Sequence, residues 1–156
     1  RNGTLHRNFQ DYSTHRDCDL IGLGASSIGQ IGGSYAQNHV PLEEYHRNVD
    51  AGVLPVVRGL QPDADDLLRR AVITQLSCNF RVDMDAIADR HDIDFGRYFA
   101  GELDRLRVMQ EDGLVEIGAA EIRINTRGRL LVRNICSVFD AYLQTEENNR
   151  GYSKAI

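Results

Sequence analysis

Beyond Asp65 the apolar residues recur with helical period and then switch abruptly to strand period. That switch constrains the fold more than any other feature of the chain. Leu67, Leu68, Ala71, Val72, Leu76 and Phe80 lie on one face of a predicted helix. Asp65 and Asp66 stand in its first turn, where carboxylates suit the helix dipole. A short helix around Met84–Asp89 follows. Asp94 is placed to cap the next one, along which Phe95, Tyr98, Phe99, Leu103, Leu106 and Met109 recur until Gly113 ends it. The period then becomes two. Leu114–Ile117 and Glu121–Ile124 form a hairpin around Gly118, with Ile122 and Ile124 alternating against Arg123. Thr126 is expected to cap a last helix bearing Leu130, Leu131, Ile135, Val138, Phe139 and Leu143. Three helices, a hairpin wing and a closing helix make a winged-helix-like module over 65–156.

The region before it is different in kind. Leu20–Gly24 is a candidate buried strand that runs into a glycine-rich turn, the way α/β domains build ligand sites at strand ends. Leu5–Tyr12 reads as an earlier, unusually polar strand. Alternation puts Arg7, Phe9 and Asp11 on one face and Asn8, Gln10 and Tyr12 on the other, which suits a pocket wall better than a core. Pro41 opens a predicted helix over Leu42–Val49 that Gly52 ends. All three prolines fall between Val40 and Ala64, and Val53–Gly59 reads as extended. The expected organisation is therefore 1–52, a connector over 53–64, and the helical domain 65–156. The fold class is α+β, mainly α.

Charge and cysteine usage exclude several functions. A net charge of −5 opposes a general nucleic-acid or anionic-membrane binder. A winged helix nevertheless invites the DNA question. On its third helix Arg97, Arg105 and Arg107 are interspersed with Glu102 and Asp104, and the helix ends Glu111-Asp112, so no cationic face forms. No nucleic-acid partner is expected. No apolar run approaches the ~18 residues of a membrane helix, and no signal-peptide pattern opens the chain. Cys18, Cys78 and Cys136 are 60 and 58 residues apart, which gives no C-x-x-C pair and points to a reducing compartment. They are expected in core or half-buried positions. Structural or surface roles are expected for His6 and His15, and solvated faces for Glu43-Glu44 and Glu146-Glu147. Lys154 is the only lysine, which reads as compositional bias.

The loop Gly22-Leu23-Gly24-Ala25-Ser26-Ser27-Ile28-Gly29 satisfies no standard motif. A dinucleotide G-x-G-x-x-G needs glycine where Ser27 stands, and a G-x-S-x-G elbow needs it where Ile28 stands. A flexible loop whose backbone can approach a ligand remains, as does a plain tight turn.

Several segments together resemble one family. Leu5-His6-Arg7-Asn8-Phe9-Gln10-Asp11-Tyr12 resembles the LxRNFQGY segment of oxygen-independent coproporphyrinogen III oxidases. Asp19–Gly29 resembles their DLIGLGxSAIG loop, and Ser34-Tyr35-Ala36-Gln37-Asn38 their SYAQN. Gly128–Cys136 with Phe139-Asp140, and then Ser153-Lys154-Ala155-Ile156, resemble GRLLVRNIC..FD and a terminal FSKVI. Asp11 replaces the usual glycine after FQ, and Tyr152 stands where the family often has Phe.

The resemblance implies a radical S-adenosylmethionine (radical SAM) fold, of which residues 1–52 are the last barrel elements. It implies S-adenosylmethionine and a [4Fe-4S] cluster as cofactors, with decarboxylation of coproporphyrinogen III propionates to vinyls in haem biosynthesis. The family's cluster sits on CxxxCxxC, which the three cysteines here do not form. The chain, starting at Arg1, is thus expected to be a C-terminal fragment, inactive alone, without metal site or cofactor of its own. Its expected partner is the missing N-terminal catalytic domain, in a cytoplasmic monomer. Phe9 and Gln10 fall on the family's substrate-handling NFQ positions, and Ile28 on a position that contacts a second bound S-adenosylmethionine. Arg7 could pair a propionate or a structural carboxylate. A haem-chaperone-like radical SAM relative is the alternative, and an independent regulatory winged helix a more distant one.

Overall fold

A computed structural model describes residues 6–7, 12–13 and 18–145. The chain divides into two units, His6–Asp65 and a second running from Asp66. In the first, His6–Arg7 (β1) pairs antiparallel with Tyr12–Ser13 (β2), in the register Arg7↔Tyr12. Arg7 and Tyr12, expected in one strand over Leu5–Tyr12, thus belong to two strands paired antiparallel; the residues between them lie outside the described residues. Ile28–Ile31 (β3), Ser34–Asn38 (β4) and Val56–Leu60 (β5) form an antiparallel sheet in that order. Gly32 and Gly33, with φ of 56° and 84°, turn β3 into β4, a conformation that glycine adopts without steric cost. Leu42–Asp50 (α1) lies between β4 and β5, with Pro41 at its N-cap.

Two expectations for this unit are corrected. Leu20–Gly24 is not a buried strand: Leu20 makes only an isolated bridge to Gln30, and Ile21 and Leu23 are 71% and 85% exposed. An apolar run is not sufficient for a strand when its glycine is needed elsewhere. A side chain at Gly22 would meet the Ile28 carbonyl carbon at 2.9 Å, so this backbone passes close against β3. The 53–64 segment, expected as a connector, supplies β5, a paired member of the sheet.

The second unit opens with Ala64–Asn79 (α2), whose first turn spans the division. Arg81–Asp83 (β6), Met84–His91 (α3), Phe95–Tyr98 (α4) and Ala100–Glu111 (α5) follow. Val115–Ile117 (β7) and Glu121–Ile124 (β8) complete an antiparallel sheet ordered β6-β8-β7. Asp83 and Asp94 cap α3 and α4, their Oδ1 atoms accepting from Ala86 N and Arg97 N at 2.9 Å each. The predicted third helix is broken at Phe99, which stands between α4 and α5 with φ −100°. Gly113, at φ 70°, ends α5. The predicted closing helix is a 3-10 turn over Gly128–Leu131, then Val132–Ser137 (α6) and Ala141–Thr145 (α7). Thr126 does not cap it; Arg127 occupies the position before the 3-10 turn and makes no side-chain cap.

The core of this unit gathers Leu68, Val72, Leu76, Ile87, Phe99, Leu106, Ile122 and Phe139, all 3% exposed or less. Phe99 is its centre, its ring 4.8 Å from that of Phe95 and 5.4 Å from that of Phe139. Burial of such rings is the main driving force for folding, each contributing ~2–3 kcal/mol. Among the described residues no helix is long and apolar enough to cross a membrane.

Candidate functional site

The glycine loop of the first unit is shaped by its own backbone strain and by one amide. Gly24 has φ 99° and Ser26 φ 61°, the latter a conformation costly to a residue with a Cβ. Asn38, at the end of β4, is one of two buried residues in 18–65, the other being Gly29. Its Nδ2 reaches Gly22 O at 3.2 Å, Gly24 O at 3.0 Å and Ser27 Oγ at 3.0 Å. Ser27 Oγ donates to Gly24 O at 2.7 Å, and the Tyr45 hydroxyl, from α1, accepts from Gly24 N at 3.2 Å. Backbone bonds tie the loop to the β4 exit: Asn38 N to Ser27 O at 3.0 Å and Ser26 N to His39 O at 2.8 Å. Asp19 closes the far side, its Oδ1 accepting from Gly32 N at 2.9 Å.

Ile28 leaves this loop as the first residue of β3, half-buried and paired with Gln37. Around it the main chain is closely packed. Gly22 and Gly29 pass so close to neighbouring main chain that a Cβ at either would lie 2.9–3.0 Å from it, whereas a Cβ at Gly24 would meet open space. Phe9 and Gln10 lie outside the described residues, as do the side chains of His6, Arg7 and His15. The 53–64 region lends Arg58, whose Nε donates to Gln37 Oε1 at 2.7 Å.

The cysteines do not gather. Cys18 is exposed, against the expectation for it. Cys78 and Cys136 are buried in the second unit. Burial, with a smaller contribution from Cys78, pushes the Cys136 thiol up to about 12, so it stays protonated and unreactive at neutral pH. Among the described residues no three His, Cys, Asp or Glu side chains converge on a metal position. Of the acidic pair expected on a solvated face, Glu43 is exposed, whereas Glu44 is half-buried with Oε2 out of solvent.

Sequence reasoning missed one charged group altogether. Glu102 is 8% exposed and pairs with Arg69 at 2.9 Å and Arg105 at 3.5 Å. Arg69 also donates to Phe139 O at 3.2 Å, and Arg105 to Val138 O at 3.0 Å. Two of the arginines considered for DNA are thus engaged within the fold: Arg105 here, and Arg107 in an ion pair with Asp104.

Residues 63–131 match the HemN C-terminal domain family. The chain as a whole resembles the oxygen-independent coproporphyrinogen III oxidases. It is 44% identical over 156 residues to the oxidase of Salmonella typhimurium, and 46% identical over 154 residues to that of Pseudomonas aeruginosa. These alignments take in 100% and 99% of this chain but 34% and 33% of those proteins. The solved structure of coproporphyrinogen III oxidase (HemN) from Escherichia coli, described as a radical SAM enzyme, is similar with a TM-score of 0.87 and 46% identity. That match covers 91% of this chain and 33% of the Escherichia coli chain. The chain therefore spans about a third of the length of these relatives.

Proposed function

We propose that this chain is the C-terminal part of an oxygen-independent coproporphyrinogen III oxidase, acting in the cytoplasm as a monomer. The full-length enzyme decarboxylates two propionates of coproporphyrinogen III to vinyls and yields protoporphyrinogen IX. The observation that carries this reading is similarity over the whole chain, joined to a strained glycine loop from which Ile28 emerges. Ile28 contacts a second S-adenosylmethionine, and Phe9 and Gln10 handle the substrate; the latter two roles rest on the NFQ resemblance. An aromatic ring can pack on a porphyrinogen face, and a primary amide can hold a carboxylate.

The cluster belongs to the rest of the polypeptide, since Cys18, Cys78 and Cys136 are far apart in sequence and two of them are buried. When bound there, it supplies the reducing electron for radical formation from S-adenosylmethionine; this chain alone turns over nothing. Residues 1–52, together with β5 from the 53–64 segment, close the catalytic domain, and the helical domain 65–156 follows. That domain reads as a winged helix: the order α2, β6, α3, α4–α5, β7, β8 with β6 beside β8 is the connectivity such a module needs. It serves as a cover that excludes water from a radical intermediate rather than as a nucleic-acid reader.

The test is substitution in the full-length protein. Phe9→Ala and Gln10→Ala are expected to lower coproporphyrinogen decarboxylation by about 10²-fold, as misplacement of a substrate commonly does. Ile28→Ala is expected to weaken S-adenosylmethionine binding. Wild-type turnover and binding in all three variants would refute the site. Absence of any decarboxylation by the wild-type protein would favour a haem-chaperone-like relative.

A further inference from the structure

The Asn38 amide stands where the register of β4 against β5 slips, between Gln37 and Asn38. Such irregularities re-aim a side chain out of the regular alternation. Here the re-aimed group is the only buried polar side chain among the described residues of 18–65. Its two N–H hydrogens serve three acceptors, at Gly22 O, Gly24 O and Ser27 Oγ. A loop with Gly24 at φ 99° and Ser26 at φ 61° keeps that shape only where its surroundings over-determine it. The Asn38 amide, with the Tyr45 hydroxyl on Gly24 N, does so.

The direction of these bonds has a second effect. No peptide bond here is cis, so the N–H following each carbonyl points the opposite way. With Gly22 O and Gly24 O turned in toward Asn38, the N–H groups of Leu23 and Ala25 turn away from it. Among the described residues neither meets an acceptor. Two outward backbone donors, two residues apart and just ahead of Ile28, are thereby left to meet carboxylate or hydroxyl oxygens.

We infer that Asn38 is a positioning residue for the S-adenosylmethionine that Ile28 contacts. Its amide clamps the loop so that Ile28 offers an apolar face while the N–H groups of Leu23 and Ala25 receive the ligand's oxygens. This rests on the reading of Ile28 given above. Asn38→Asp keeps the shape and removes both hydrogens. In the ligand-free full-length protein, amide hydrogen exchange at Gly24, Ser26 and Ser27, the bonded amides of the loop, is expected to quicken about tenfold, as loss of buried hydrogen bonds dictates. The dissociation constant of S-adenosylmethionine, by equilibrium dialysis, is expected to rise about tenfold, with the KM for coproporphyrinogen within about twofold.

Ser27→Ala, which deletes a single acceptor, is expected to weaken binding about threefold and keeps the test open should Asn38→Asp fail to fold. Unchanged loop exchange in Asn38→Asp overturns the clamp. Unchanged binding in Asn38→Asp, or in Ser27→Ala if Asn38→Asp does not fold, beside weakened binding in Ile28→Ala overturns the positioning role and leaves the Ile28 contact standing. Wild-type binding in both Asn38→Asp and Ile28→Ala removes the Ile28 contact and this inference with it.

Discussion

The two units reach order by different means. In the second, the buried apolar side chains from Leu68 to Phe139, Cys78 apart, join one cluster, and the charged Glu102 is taken in only with two arginines around it. In the first, no apolar side chain larger than a methyl is buried among the described residues. Ile21, Leu23, Val40, Leu54 and Val57 are all at least 50% exposed. Its shape comes from sheet hydrogen bonds and the Asn38 amide. A hydrogen bond contributes only ~1 kcal/mol net, whereas a buried aromatic ring contributes several times that. The lesson is that the second unit carries the stability of this chain, while the first carries surface that an apolar neighbour would cover.

The comparison can be broken most directly at its strongest point. Phe99→Ala is expected to cost about 3–5 kcal/mol in chemical denaturation, because Phe95, Tyr98 and Phe139 all lose a ring neighbour. A loss under about 1 kcal/mol would mean the core is not centred there. Glu102→Ala comes next, at about 3 kcal/mol, since it removes a nearly buried carboxylate that pairs with both Arg69 and Arg105. High salt should leave that loss largely intact, as screening is weak for a buried pair. The smallest effect belongs to the first unit. Leu54→Ala, at a side chain 80% exposed, is expected to change the stability of this chain by no more than about 0.5 kcal/mol. The same substitution in the full-length protein should cost more, if the rest of the polypeptide covers that surface. An equal effect in both contexts would dissolve the contrast between the units.

What could be read from the sequence follows the same division. Caps, helical period and the hairpin are local signals, so Asp94, Gly113 and the alternation of Ile122 and Ile124 marked true boundaries and a true core face. The break at Phe99 was not legible, because its residues keep the apolar spacing of a continuous helix. Nor was the burial of Glu102, whose partner Arg69 is 33 residues away and whose neighbours on α5 are charged. In the first unit the local signals marked α1 between Pro41 and Gly52 but misled around the glycine loop. Leu20–Gly24 has the composition of a core strand, yet its glycine is spent on a close backbone approach to Ile28. Asn38 stood in a matched motif, but nothing in Ser34–Asn38 indicated that its amide would turn back across sixteen residues to Gly22. Ile28 was legible only through resemblance.

The outermost strand of the first sheet has a consequence for handling the chain. β5 is an edge, and all five residues of Val56–Leu60 are exposed. An edge strand of this kind is a template on which a second molecule can polymerise. Arg58 in the middle of the strand, with Pro55 before it and Pro62 after it, is the sort of gatekeeping that limits such growth to short, unproductive encounters. Colloidal behaviour, rather than catalysis, would then be the first property to suffer if that arginine were lost.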